Sequence, residues 1–498
     1  MLVEQRVGGL RGPLDIPTAR RWPPHAHGTL TALSARVPVQ SAAPLSRVQR
    51  ILPVPRPRAS MPNSMPSRSP VTTWSPLAIL LLAACVGDPA PSAPADDPAA
   101  PPPPALQIVN DAEALGARVQ FGEVNLGELQ APAFTPDLGD SVAASVSGDR
   151  VQFTEEAQVA APASRLGAMQ ATHSAFVDGF AYVSYAMVGE EAAGAVDVFD
   201  VNGASTPKLV SSATLDGSDV HTLAVVGSRL YLGTGAQDLA RGETAVLEVL
   251  QLDRGRIVQR IARLSLPSHI VTGIAVAAGK VWVTTGTGGD REGGLTVLDE
   301  RTLQVISFDR FSDARAVAPN GSDVIAVVRG RPGRLRMYAQ STGAFLREFE
   351  LGGLSFADAK ASIISRATWA FVGAADAGVV VTQLRQNGRI TGSIVGELAR
   401  PQLPGVRDEY AVTNAVTVAG DYVVAANGAA GVSVAHTTDQ WTAQTNKPTL
   451  TPMGRLLLPD GFSANFVAGS FPNLFVAAGY GGLRLVRLRV TSGNGNSD

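Results

Sequence analysis

Between residues 164 and 490 the chain repeats one pattern seven times. Each copy has a short alanine-containing apolar run, a glycine turn, a second apolar run, a glycine-rich turn and a run that alternates apolar with polar side chains. The first copy reads HSAFVDGFAYVSY at 173–185 and GAVDVFDV at 194–201, the third GIAVAAGKVWV at 273–283 and GLTVLD at 294–299. The turn position falls on Gly179, Gly227, Gly279, Gly321, Thr368, Gly420 and Gly469, at spacings of 48, 52, 42, 47, 52 and 49 residues. Most copies add a fourth run, such as KLVSSATL at 208–215 and IVQRIARL at 257–264. Four antiparallel strands at a period near 48 residues predict one β-propeller blade per copy. Amphipathic helical spacing is absent. The expected fold is all-β, a seven-bladed propeller of four-stranded antiparallel blades over residues 164–490. A two-sheet sandwich, the competing architecture, does not account for seven units.

Inner strands crowd around the axis, which favours small side chains such as Ala175, Ala224, Ala275, Ala316, Ala415 and Ala464. The seventh copy ends after its third run, so the ring needs a strand from elsewhere. Residues 165–171 (RLGAMQA) are expected to supply it and to pin the two ends of the domain together. Residues 106–163 hold two strand-like pieces, 117–124 and 142–153, expected as short β segments packed on the propeller. Residues 491–498 are expected to be a disordered tail.

Residues 77–85 (LAILLLAAC) form a short apolar run that ends on Cys85, the only cysteine of the 498 residues. Spanning a bilayer as a helix takes roughly 20 apolar residues, so this run is too short. It suits the apolar region of a secretory signal, with Arg68 before it and small residues before the cut. The LAAC ending resembles the bacterial lipobox. That resemblance implies cleavage before Cys85, a lipid on its thiol, and attachment to the cell envelope outside the cytoplasm. Val86 instead of Asp at the next position resembles a signal for outer-membrane delivery. Residues 61–84 are then the signal peptide, with Met61 or Met65 as the start. Residues 1–60 are an extension without hydrophobic periodicity, and 85–105 are the anchor and a Pro/Ala-rich linker, extended where polyproline-like.

Residues 1–84 carry ten of the 41 basic and two of the 43 acidic side chains, which leaves 31 against 41, a net charge of −10. Nucleic acid requires a basic face, so it is excluded as a partner. An acylated Cys85 leaves no thiol for disulfides, metal or nucleophilic chemistry.

Residues 194–210 (GAVDVFDVNGASTPKLV) resemble the LVIVD repeat of bacterial surface and secreted propellers: a glycine, an alternating strand ending in Asp, a small polar turn, Pro and an apolar strand. The match is partial in copies six and seven, which lack the Asp-Pro turn. The resemblance implies an extracytoplasmic propeller for protein or surface-polymer interaction, here expected as a monomer, and brings no catalytic motif.

Candidate chemistry sits at the start of the inner strands. His173 and His221 each lie six residues before the turn glycine, so they read as one repeat position, with His269 four residues out of register. The same position holds Arg315, Ser362, Asn414 and Ser463 in later copies, and these side chains are expected to ring one mouth of the channel. Asp219 and Asp313 precede His221 and Arg315 by two residues. Neutral imidazoles with a carboxylate make metal ligands, so His173, His221 and Asp219 are the candidates for a zinc or copper site; strand capping and channel water are the alternative. No cofactor is expected. The Gly-rich stretch 284–294 precedes no helix and is not a phosphate loop. It reads as a hairpin turn, with calcium at Asp290 and Glu292 the remaining option. No G-x-S-x-G elbow occurs in the propeller. The functional expectation is a binding or scaffold module at the cell envelope, with a metal-dependent or lactonase-like hydrolase at the channel mouth as the alternative.

Overall fold

The computed structural model describes residues 105–128, 150–189, 191–202, 207–236, 243–287, 292–357, 359–386, 388–437 and 448–491. Cys85, the signal segment, the linker, Asp290 and the tail from 492 lie outside the described residues. The strands form seven antiparallel sheets, five of four strands and two of five. The seven-bladed propeller is thus the architecture.

In each blade the innermost strand packs against the innermost strand of the next. That of blade seven (Phe466–Ser470) returns to contact that of blade one (Gln170–Val177), so the circuit closes. The third strand of blade one, Ala193–Asp200, is buried on both faces, since each blade is sandwiched between two neighbours. Seven apolar clusters result, one in each seam. Tyr182, Val198, Leu223 and Leu232 fill the seam between blades one and two, and Val424, Val434, Leu474 and Val486 that between six and seven. Outer strands such as Val305–Arg310 and Phe345–Glu350 face solvent along most of their length.

The glycine that opens the third strand in six blades has a steric cause. A Cβ on Gly294, Gly378, Gly431 or Gly482 would stand 2.0–2.2 Å from a carbonyl oxygen, that of Asp309, Leu398, Leu456 and Val159 respectively. Blade two alone has Ala245 there.

Closure differs from the expectation. Four elements lead the described chain: β1 (Leu106–Val109), α1 (Ala112–Gly116), β2 (Val119–Glu128) and β3 (Arg150–Val159). It is β3, and not residues 165–171, that pairs with Leu483–Thr491 as the fourth strand of blade seven. β2 adds a fifth strand outside it, and β1 a fifth strand on blade one. These segments are therefore strands of the ring, not additions packed on it. The reason is pattern. β3 places Val151, Phe153, Ala157 and Val159 in the core, whereas 165–171 contains Gly167 at φ +146° and the exposed Leu166. Gln170 and Ala171 already begin the inner strand of blade one. Between β1 and β2, Asp111 caps α1 by accepting from the Ala114 amide at 2.8 Å. Arg118 then donates to Asp197 in blade one and to the Ala160 carbonyl just after β3. The N-terminal segment is stitched across the seam it closes.

Candidate functional site at the channel mouth

The inner strands start at one end of the axis, and four of them start with a bulge. The ladder skips Thr172, His221, Thr272 and Arg315 in blades one to four. A bulged residue is left out of the pairing and its side chain is re-aimed. All four line one of two cavities at the channel mouth.

This register corrects the sequence alignment. His221 is equivalent to Thr172, and His173 to Thr222, one position further on. The glycine count misleads because the two-residue turns differ. Gly179 is second in its turn, after Asp178, whereas Gly227 is first in its turn, before Ser228. Both residues of the Asp178–Gly179 turn have positive φ, the type I′ arrangement that suits a hairpin.

An outer cavity of about 800 Å³ is lined by residues that include Gln170, His221, Lys360, Tyr410, Asn414 and Ser463. An inner cavity of about 420 Å³ is lined by His173, His221, His269, Arg315 and Lys360 among others. His221 and Lys360 belong to both. His269 reaches the inner cavity although it lies out of register with the other two histidines. Ser362 lines neither: its buried hydroxyl accepts from the Val416 amide at 2.9 Å and welds blade five to blade six. Thr172 welds blade one to two through the Val220 carbonyl, and Thr272 welds three to four through that of Ala314.

Lys360 was not singled out by the sequence pattern. It belongs to the loop that leads into the inner strand of blade five (Ser362–Arg366). Arg315 of blade four holds that loop, donating to the carbonyls of Ala359 at 2.7 Å and Phe356 at 2.9 Å. Asp313 orients Arg315 by accepting from its Nε and Nη2 at 3.0 and 2.8 Å, and also accepts from Arg331. Burial pushes the Asp313 carboxyl up, but the two guanidiniums outweigh it and hold it below the usual range. The pinned loop carries Lys360 across the axis, where Nζ donates to the Thr172 carbonyl of blade one at 3.1 Å.

Lys360 forms no ion pair among the described residues, and burial brings its ammonium down to about 8. It remains largely charged at pH 7. Burial, and then the neighbouring ammonium, lower both His173 and His221 to about 3, so both imidazoles are neutral. Both rings lie deep in the molecule but keep some accessible surface, because they line a cavity. His173 packs on Phe466 with ring centroids 3.8 Å apart, and its Nδ1 is enclosed without a hydrogen-bond partner.

The expected metal set does not assemble. The Asp219 carboxylate accepts from the Met187 amide at 2.8 Å and lines neither cavity. Among the described residues no three His, Cys, Asp or Glu side chains group in a way that suits a metal ion. Among the described residues the mouth offers one ammonium without an ion pair, two neutral imidazoles, the Gln170 and Asn414 amides without a hydrogen-bond partner, and the half-exposed Tyr410 with Arg407 over its ring.

No family model matches the sequence, and no curated protein matches it. Among solved structures, the fold is similar to that of the Dos1 propeller, with a TM-score of 0.42 and 13% identity over 72% of this chain and 88% of that one.

Proposed function

We propose that this chain is a lipid-anchored, extracytoplasmic β-propeller that works as a binding module at the cell envelope, with its ligand site at the channel mouth and its membrane attachment at Cys85. The outer cavity carries the reading. At about 800 Å³ it falls in the size range of ligand sites. The side-chain amides of Gln170 and Asn414 line it and have no hydrogen-bond partner among the described residues. Tyr410, also lining it, is 56% exposed. Unused donors and an exposed ring are what a polysaccharide or protein ligand uses.

The imidazole chemistry weighs against the hydrolase alternative. A general base works best with a pKa near the working pH, and His173 and His221 sit about four units below neutrality. The attachment reading draws support from the lipobox-like LAAC ending alone.

Two experiments test these points. Fractionation of cells expressing Cys85→Ser should move the protein to the soluble fraction; a variant that stays with membranes removes the anchor. Capture of purified envelope polysaccharide and envelope protein fractions should be lost in a Tyr410→Ala/Asn414→Ala variant. Capture that is unchanged in this variant moves the binding face elsewhere on the disc.

A further inference from the structure

We infer that the channel mouth takes an acidic sugar, with a carboxylate on Lys360 and ring hydroxyls on Gln170 and Asn414, packed against Tyr410. This deepens the binding-module reading and rests on it.

The charge argument comes first. An ammonium has three donors, and Lys360 uses one, on the Thr172 carbonyl. Every other charged group lining the two cavities is already engaged. Arg315 spends its donors on Asp313, Ala359 and Phe356. Arg331 pairs with Asp313 and is 45% exposed, so solvent screens it. Glu409, which lines the outer cavity, is paired with Arg407. Among the described residues the site therefore has one half-buried cation with donors not given to another protein group. A single negative charge matches it, and a phosphate dianion exceeds it.

The neutral groups then choose the body of the ligand. Neutral imidazoles at His173 and His221 can each donate one N–H or accept one hydrogen bond. His173 lines only the inner cavity and its Nδ1 is enclosed, so His221 is the imidazole shared with the cavity that holds Gln170 and Asn414. Gln170 and Asn414 offer amides that donate and accept, which suits hydroxyls. Tyr410, 56% exposed, lines the outer cavity with the Arg407 guanidinium over one face of its ring, 5.1 Å from the centroid. Carboxylate, hydroxyls and a ring with an apolar face together describe a sugar acid better than the extended backbone of a peptide carboxy terminus.

The test uses the purified full chain carrying Cys85→Ser and isothermal titration with four probes: D-glucuronate, D-glucose, inorganic phosphate and an acetylated tripeptide with a free carboxy terminus. Glucuronate should bind at least tenfold more tightly than each of the other three. Lys360→Met should bring glucuronate down to the glucose level, and Lys360→Arg should restore part of the difference. Equal binding of glucuronate and glucose, or undiminished binding of glucuronate by a folded Lys360→Met, overturns the inference. Tighter binding of phosphate or of the peptide overturns it in favour of that ligand. Failure here is distinct from failure of the broader reading. If glucuronate does not bind but capture of envelope fractions still depends on Tyr410 and Asn414, only the acidic sugar falls.

Discussion

Arg484 donates through Nη1 to both carboxylate oxygens of Glu155, at 2.9 and 2.8 Å, and so joins residues 329 positions apart in the chain. Both side chains are almost fully buried, at 4% and 7% exposure. The pair lies within blade seven, Glu155 on β3 and Arg484 on the strand that β3 completes. Removing one partner strands the other charge in the core. Glu155→Leu or Arg484→Met alone should therefore cost about 3–5 kcal/mol, while the double variant should lie close to wild type or above it. Urea unfolding midpoints check both. Deleting residues 105–159 should leave Leu483–Thr491 as a bare edge and give aggregates on size exclusion.

Gly482 is the repeated glycine that faces the closing strand. It sits at φ +69°, and a Cβ there would stand 2.1 Å from the Val159 carbonyl. That carbonyl belongs to the closing strand, so relief of the clash must come from the ring joint itself. Gly482→Ala should destabilise by roughly 1–3 kcal/mol. Ala245→Gly, at the corresponding place in blade two, should change stability by less than about 1 kcal/mol. Thermal unfolding of the two variants makes the comparison.

The channel histidines set an acid limit. Each is lowered from 6.5 to about 3 in the folded chain. As pH falls from 6.5 towards 3 the unfolded chain takes up protons that the folded chain refuses. Stability is then lost over that window and is fully present above it. At pH 4.5 the loss is roughly 2 kcal/mol per imidazole relative to pH 7. A His173→Gln/His221→Gln variant should lose several kcal/mol less between those two pH values than wild type, measured by urea unfolding at each.

Lys360 has the opposite place on the pH scale and the same sign of slope. Its pKa falls from 10.5 to about 8 on folding. Below pH 8 it is charged in both states, and the folded state bears the cost of burying it. Between pH 8 and 10.5 the unfolded chain binds more protons, so stability rises with pH. Lys360→Met should stabilise the protein at pH 7 by on the order of 1–3 kcal/mol, with a gain that shrinks towards pH 10. A functional group kept at a cost in stability follows the usual trade-off. No gain at pH 7 would mean that the bond to the Thr172 carbonyl outweighs the burial.

Much of the ring was legible in the sequence because its cause is local. Glycines such as Gly378 and Gly431 recur since a backbone carbonyl approaches them in six of the blades, and this shows up as a period. The closing strand was less legible. β3 reads RVQFTEEAQV, whose Glu155 looks like a surface residue until its partner Arg484 arrives from the far end of the chain. The site was legible in part. Of the residues read as a ring, His173, His221, Arg315, Asn414 and Ser463 line one or other cavity, and Ser362 lines neither. The equivalence of the two histidines failed on a one-residue difference in turn composition. Lys360 stands two residues before Ser362, at the repeat position that holds Asp219 and Asp313, but no other copy has a lysine there. Its only signal is the loop that precedes the inner strand of blade five, and its importance comes from a bond made across the channel.

The strand that completes blade seven is made early and used late. At the usual 5–20 residues per second, the 324 positions between Val159 and Leu483 take on the order of half a minute to emerge from a ribosome. For that interval β3, with β2 paired on its outer side, exists without the strand that joins it to blade seven. Long-range pairing of this kind is slow, and it makes the final joint the step at which a waiting edge can find a second chain instead of its own end. Chains in which Leu483–Thr491 has not yet reached β3 are thus the population that a holding chaperone has to protect.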